Sequence, residues 1–395
     1  MVKCTYKHKK SSADDFFRRK IIGLARITLS VLMKIIMTGG GSGGHVMPAL
    51  SLIDKLKTDN DILYVGSKNS IEQQQCERRN IEFRKIATGK LRRYLSLKNV
   101  TDIFRVIKGI FDAGRIIRKF RPNVIVSTGG FVSVPVVIAG HFHSVPILIH
   151  EQTIDAGLAN KIAAKFATRI AVTFSESKKY FPAAKTVRTG IPLRDVIFTG
   201  SRDSAIANLG LNSTMRTIYF TGGGLGCHIL NETALQILDT ILDTHNVIYQ
   251  TGNAMDGADY EAMVQFREGL STDKQQRFKL YNFVNEEIAD IFAAADMAVA
   301  RSGAGTVCEL SAMHIPAVFI PLAIATGNEQ YKNAKSVSDI GGAVILEEKD
   351  LTADKLLSDI LCVSDKCETM RNALSQADSK NGSEKIISLV NDIAK

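Results

Sequence analysis

The sequence predicts an α/β protein built from two Rossmann-like domains whose parallel sheets face each other across a cleft. Three observations lead there. A chain of 395 residues exceeds one compact core and suits two domains of ordinary size. After residue 33, short β-rich runs alternate with helical stretches, the pattern that parallel sheets with crossover helices require. The chain also repeats itself: Thr38-Gly39-Gly40-Gly41-Ser42-Gly43-Gly44-His45 returns, about one domain length later, as Thr221-Gly222-Gly223-Gly224-Leu225-Gly226-Cys227-His228.

In the first half, Lys34–Met37, Ile62–Val65, Val124–Ser127, Val145–Ile149 and Arg169–Val172 read as strands. Each is a short, mainly aliphatic run of the kind that a sheet covered on both faces buries. Thr217–Phe220, Asn246–Gln250, Phe278–Tyr281, Met297–Ala300 and Ala317–Ile320 read as a second set. Gly190-Ile191-Pro192 follows a turn-rich stretch and is the expected hinge. The expected division is a basic N-terminal extension over 1–32, a first domain over 33–193, a second over 194–368 and a helical C-terminal tail over 369–395.

Hydrophobic residues at 45% and charged residues at 23% exclude a disordered or fibrous chain. No run reaches the roughly 18 apolar residues of a spanning helix. The longest candidate, Ile21 to Met33, contains Arg26. Six cysteines without a CxxC pair or a His partner at ligand spacing imply thiols in a reducing compartment. Asp59-x-Asp61 stands just before a strand, at the edge away from the glycine loops, and reads as a solvated turn. No metal or organic cofactor is expected. With no cleavable leader in view, a cytoplasmic location is expected.

The net charge of +10 is unevenly placed. Residues 1–32 hold eight Lys or Arg against Asp14 and Asp15, and residues 84–121 hold twelve against Asp102 and Asp112. Such a surplus suits a polyanion, nucleic acid or an anionic membrane face. Leu91, Arg92, Arg93, Tyr94 and Leu95 mix basic and amphipathic residues as an interfacial patch does, and no nucleic-acid motif accompanies them. Just beyond, positions 100, 103, 104, 107, 110 and 111 form one apolar helical face, expected to pack on the first sheet. In 1–32, Arg19, Gly23, Arg26 and Ser30 share a helical face; a basic interfacial helix and a true start at Met33 both remain open.

Three glycine-rich turns stand at strand ends: Thr38–Gly44, Thr128-Gly129-Gly130 and Thr221–Gly226. Glycine lets backbone approach a ligand, and a following helix offers unpaired N–H groups that suit phosphate or sugar hydroxyls. Gly39-x-Gly41-x-x-Gly44 matches a dinucleotide fingerprint, but the second strand ends in Val65-Gly66-Ser67 without the required carboxylate. That disfavours a nicotinamide oxidoreductase. The absence of GxxxxGK[ST] removes the P-loop reading. What remains is an enzyme that clamps a diphosphate-linked donor between two domains. Thr306-x-x-Glu309, after the strand Met297–Ala300, reads equally as a capping box or as a carboxylate for a ribose diol. Asn328, Glu329, Gln330 and Asn333 carry groups suited to sugar hydroxyls.

Taken together, the glycine run ending at His45, Gly129-Gly130-Phe131-Val132-Ser133, His150-Glu151-Gln152-x-x-x-Ala156-Gly157, Arg301-Ser302-Gly303-Ala304 with Glu309, and Gln330-x-x-Asn333 resemble the MurG family. The likeness runs through most of the chain from Met33. It implies the GT-B fold and inverting transfer of N-acetylglucosamine from its uridine-diphosphate carrier to undecaprenyl-pyrophosphoryl-N-acetylmuramoyl-pentapeptide. It also implies a peripheral place at the cytoplasmic side of the plasma membrane, on an anionic surface. A uridine-diphosphate-galactose:diacylglycerol transferase would share the fold and the cleft.

Carried over by position, the resemblance implies donor contacts from Ser42, Gly43, Gly44, Thr153, Arg194, Gly224, Val284, Ala304, Gly305, Thr306, Glu309, Gln330 and Asn333. Glu309 would take the ribose diol, Val284 the uracil edge, and Gln330 with Asn333 the sugar. Acceptor contacts would come from Gly41, His45, Gly129, Gly130 and Phe131. Departures from the family pattern are Gly224-Leu225 for Ser-Gln, Glu329 for an amide or His, Thr153 for Asn and Ile191 for Asn. His45, at a helix start, is the candidate base; hydrogen bonding to the loop or to the acceptor pyrophosphate is the other reading. Arg194 or Arg301 would assist the leaving diphosphate. His228 is the weaker candidate for a base, since its domain should hold the donor.

Overall fold

The computed structural model describes residues 32–89, 97–377 and 381–394. All but the last residue of the 1–32 extension, and the whole Leu91–Leu95 patch, therefore lie outside the described residues. Two sheets, both wholly parallel, organise the rest. The first comprises β1 (Met33–Thr38), β2 (Asn60–Ser67), β3 (Glu82–Ile86), β4 (Val124–Ser127), β5 (Ile147–Glu151), β6 (Arg169–Val172) and β7 (Thr186–Arg188). Their order is β3-β2-β1-β4-β5-β6-β7. The second comprises β8 (Arg216–Thr221), β9 (His245–Gln250), β10 (Phe278–Tyr281), β11 (Met297–Ala300), β12 (Ala317–Phe319) and β13 (Ala343–Ile345), ordered β10-β9-β8-β11-β12-β13.

The sequence reading lacked β3, β7 and β13. All three are edge strands. Glu82-Phe83-Arg84-Lys85-Ile86 is largely charged and the other two span three residues each, so none carries the aliphatic run that marked the inner strands. In both sheets strand order reverses beside the first strand, between β1 and β4 and between β8 and β11. A crevice forms there at the carboxyl ends of the strands, and the glycine loops occupy it.

Helices cover both faces. Those used below are α1 (Gly43–Leu56), α2 (Ile71–Arg78), α3 (Leu97–Phe120), α4 (Ser133–Phe142), α5 (His228–Leu235), α6 (Ala258–Glu268), α7 (Ala304–Ala312), α8 (Glu329–Ser338) and α9 (Ser383–Ile393). Each sheet is packed on both sides by its own apolar clusters. The chain crosses between lobes twice. After β7 it passes into the second lobe, and after Ser375 it returns, so that Ile386 and Val390 of α9 are buried against the first sheet. The two crossings clasp each other. Gly382 N–H donates to Ile191 O (2.8 Å), and the Asn381 side chain accepts from Leu193 N–H (3.0 Å) and donates to Leu193 O (3.2 Å).

α3 corrects one expectation. Its buried line runs through Asp102, Gly109, Ala113 and Ile117, whereas Ile103, Phe104, Ile107 and Phe111 face solvent. Gly109 is the reason. A Cβ there would fall 2.1 Å from Ala87 O and 3.2 Å from Pro135, so small residues bring this side of the helix close and the bulky stripe turns outward. Among the described residues no helix is long and apolar enough to cross a membrane.

Candidate active site

The first glycine loop is held from behind by a buried carboxylate. Glu72, at the start of α2, accepts from Ser67 N–H (3.1 Å) and Ser67 Oγ (2.7 Å) through Oε1, and from Gly41 N–H (3.4 Å) through Oε2. A Cβ on Gly40 would sit 2.5 Å from the Glu72 carboxyl carbon, so any side chain here would displace the brace. Beyond the brace, Ser42 caps α1 with extended backbone and no side-chain hydrogen bond, and the first turn holds no acidic residue. Its N–H groups therefore stand ready for an acceptor oxygen or an anion.

His45 lies in that first turn. Its Nδ1 is 3.0 Å from Thr128 O and 3.2 Å from Gln152 Oε1. Both partners are acceptors, so Nδ1 carries the proton and Nε2 keeps its lone pair. The ring lies against the second glycine turn: added Cβ atoms on Gly129 and Gly130 would meet its Cε1 (3.3 Å) and Cδ2 (3.2 Å), the two carbons flanking Nε2. Gly40 N–H donates to Gly129 O (3.2 Å), and Thr128 Oγ1 to His45 O (2.7 Å), joining the two turns. Phe131 follows, partly buried. Glu151 is consumed by its own loop, accepting from Thr153 N–H and Oγ1, Gly157 N–H and Asn160 Nδ2. Thr153 thus shapes the 151–157 turn.

Across the cleft, Gly303 caps α7, and Ala304, Gly305 and Thr306 form its first turn with open space at Gly303 and Gly305. The capping-box reading of Thr306-x-x-Glu309 fails, because the helix starts two residues before Thr306. Glu309 instead lies a turn further along, and Arg194 Nε and Nη2 both donate to its Oε1 at 2.9 Å. Arg301 pairs with Glu348 and donates to Ile320 O, which commits it to the loop after β12. Gln330 Oε1 accepts from Leu322 N–H (3.0 Å), leaving its nitrogen for a ligand. Asn333 is buried and donates to Ser302 O (3.2 Å), behind the α7 cap. Val284, after β10, packs against the core, and Gly224 is exposed with nothing near its absent Cβ.

Contacts between lobes bring these groups together. Lys332 of α8 pairs with Asp155, which also accepts from Tyr180 Oη (2.8 Å). Lys332, then Tyr180, hold the Asp155 carboxyl below the usual range against the effect of its burial. Burial raises Glu329, while the nearby His45 opposes and Glu151 and Asp155 add to the rise, so the start of α8 faces His45. Sequence reasoning missed Glu72, the Asp155–Lys332 pair and a dyad in which His228 Nδ1 meets buried Asp259 (2.8 Å), itself held by Asn231 (2.7 Å), and it quoted Gln152 only within the His150-Glu151-Gln152 run, without a role of its own. A polar residue beside a glycine turn was the available signal, and it is shared by many surface positions.

Residues 35–172 match the glycosyltransferase family 28 N-terminal domain and residues 217–390 its C-terminal domain. The chain is 39% identical over 366 residues, 92% of its length and 100% of the relative's, to a protein of Bacillus thuringiensis subsp. konkukian. That relative is named UDP-N-acetylglucosamine--N-acetylmuramyl-(pentapeptide) pyrophosphoryl-undecaprenol N-acetylglucosamine transferase 2. The chain belongs to the MurG family. A protein of Clostridium perfringens with the same name but no final numeral is 38% identical, covering 90% of this chain and 97% of the relative. The crystal structure of Acinetobacter baumannii MurG superposes with a TM-score of 0.69 at 25% identity, covering 91% of this chain and 99% of that one. The two-sheet arrangement is thus the GT-B fold.

Proposed function

We propose that this chain transfers N-acetylglucosamine from UDP-N-acetylglucosamine to the C4 hydroxyl of undecaprenyl-pyrophosphoryl-N-acetylmuramoyl-pentapeptide, with inversion. The observation that carries the reading is the polarity of His45: its Nδ1 proton is spent on carbonyl oxygens, so Nε2 is free to accept one. The first domain, 33–193, takes the acceptor, and the second, 194–368, takes the donor.

The acceptor hydroxyl gives its proton to His45 Nε2 as its oxygen attacks the anomeric carbon. The bond from that carbon to the β-phosphate oxygen breaks, and its electron pair leaves on UDP. The α7 amides at Ala304, Gly305 and Thr306, with the loop at Gly224, meet the added negative charge. Glu309 accepts the ribose hydroxyls when Arg194 turns toward the nucleotide, Val284 offers backbone to uracil, and Gln330 donates to the sugar. Asn333 supports the α7 cap from behind. Ser42, Gly43 and Gly44 contribute donor contacts across the cleft, Thr153 shapes the turn beside them, and Gly41, Gly129, Gly130 and Phe131 receive the acceptor.

A lipid-linked acceptor requires the enzyme at a bilayer surface, and we place it peripherally on the cytoplasmic face of the plasma membrane. The outward stripe of α3, Ile103, Phe104, Ile107 and Phe111, lies beside Arg105, Lys108, Arg115 and Arg118, the composition of an interfacial helix. The functional test is direct. Purified protein with radiolabelled UDP-N-acetylglucosamine and the lipid-linked muramoyl-pentapeptide should move label into the lipid fraction. Label reaching only diacylglycerol, or none reaching lipid while the donor binds, contradicts the reading.

A further inference from the structure

The described structure contains an unbroken, one-directional chain of hydrogen bonds from the candidate base to the crossing between lobes. His45 Nδ1–H points to Gln152 Oε1 (3.2 Å). Gln152 Nε2 donates to Thr128 O (2.7 Å), which fixes which end of the amide is nitrogen, and its second hydrogen faces both His150 Nδ1 (3.1 Å) and His150 O (3.2 Å). His150 Nε2 is 3.0 Å from Gly190 O, with Thr173 Oγ1 alongside at 3.4 Å. A carbonyl can only accept, so His150 carries its proton on Nε2 and presents a lone pair at Nδ1 to the Gln152 amide. Every link then has one donor and one acceptor. His150 and Gln152 are both almost wholly buried, where water cannot replace a lost partner. Burial, partly offset by the bond to Gly190, with His45 adding to the fall, lowers the His150 imidazole to about 4, so it stays neutral as the chain requires.

The far end of the chain gives it meaning. Gly190 has φ +87°, and a Cβ on Gly382 would lie 2.5 Å from its carbonyl, so the two interlobe crossings meet at this peptide. A rotation of one lobe against the other would have to be absorbed along these two connections. We propose that Gln152 and His150 are positioning residues that join the base to the interlobe crossing, so that His45 is aligned for proton transfer in one setting of the lobes. This rests on His45 acting as base in the transfer proposed above.

Gln152→Met, His150→Phe and the double variant test it, each checked for donor binding by UDP titration. The chain predicts turnover lower by roughly 10- to 100-fold in each single variant with donor KM within about twofold, as misplaced catalytic groups behave. The double variant should lose no more than the worse single one, since either break opens the same chain. Gln152→Glu should also lose turnover, because a carboxylate cannot donate to His150 or Thr128. Unchanged turnover in either single variant, losses that multiply, or a rise in donor KM matching the fall in kcat would overturn the inference. A second readout is independent of activity: 15N–1H spectra of the wild type should report His45 as the Nδ1–H tautomer and His150 as the Nε2–H tautomer. The opposite tautomer at either residue breaks the chain. If the wild type transfers nothing yet both tautomers are as predicted, the functional reading fails and the linkage stands.

Discussion

At the residue scale, the site is assembled from polar groups whose partners decide what they can do. His150 is the sharpest case. Its folded value of about 4 lies below the ordinary 6.5, so the unfolded chain binds the proton more readily. Stability from this residue is complete above pH 6.5 and is lost as pH falls toward 4. At pH 5 the loss amounts to about 2 kcal/mol. Urea unfolding at pH 7 and pH 5 should therefore show a larger fall for the wild type than for His150→Phe, and equal falls would contradict the assignment. Gly224 makes the opposite point. It has open space and no left-handed backbone, and Leu225 beside it is 87% exposed. Restoring polar groups with Gly224→Ser and Leu225→Gln should leave stability within about 0.5 kcal/mol. One or two added hydrogen bonds to the donor, each worth about 0.5–1.5 kcal/mol, should lower donor KM by severalfold in steady-state assays.

At the element scale, helices are placed by their small residues as much as by their large ones. Gly109 and Ala113 bring α3 against the strand end at Ala87 and against α4, leaving Phe104 and Phe111 about two-thirds exposed. Because neither ring supports the core, Phe104→Ser with Phe111→Ser should keep the melting temperature within a degree or two. Withdrawing an aromatic ring from water contributes about 1.5–3 kcal/mol, so binding to anionic vesicles in a sedimentation assay should fall at least tenfold. Retained vesicle binding would move the membrane contact elsewhere. The same helix shows why periodicity misled: a 3.6-residue apolar stripe identifies a face but does not say whether protein or another phase covers it.

At the scale of the whole molecule, most of the architecture was legible in the sequence. Buried parallel strands are aliphatic runs, and the duplicated glycine turns marked the two places where strand order reverses. Three of the four edge strands escaped: β3 is largely charged and β7 and β13 span three residues each. The sequence placed His45 and Glu309 at strand-to-helix turns, and the structure puts both on the cleft-facing elements, His45 in the first turn of α1 and Glu309 in α7. The candidate site was not legible where function depends on what lies behind the surface: Glu72 under Gly40, Asp155 facing Lys332, and the contacts by which the quoted run His150-Glu151-Gln152 reaches His45. Those pairs are formed by segments far apart in the chain, and a single sequence carries no signal of their meeting.

The central claim is a division of labour across the cleft, with His45 taking the proton and Glu309 holding the donor. Steady-state kinetics of His45→Ala and Glu309→Ala, with labelled UDP-N-acetylglucosamine and the lipid-linked acceptor, test it most directly. The account predicts that His45→Ala lowers kcat by about 10²- to 10⁴-fold at nearly unchanged donor KM. Glu309→Ala should raise donor KM, with UDP affinity falling in parallel. A His45→Ala enzyme with wild-type kcat, or a Glu309→Ala enzyme that binds UDP as tightly as the wild type, would contradict it.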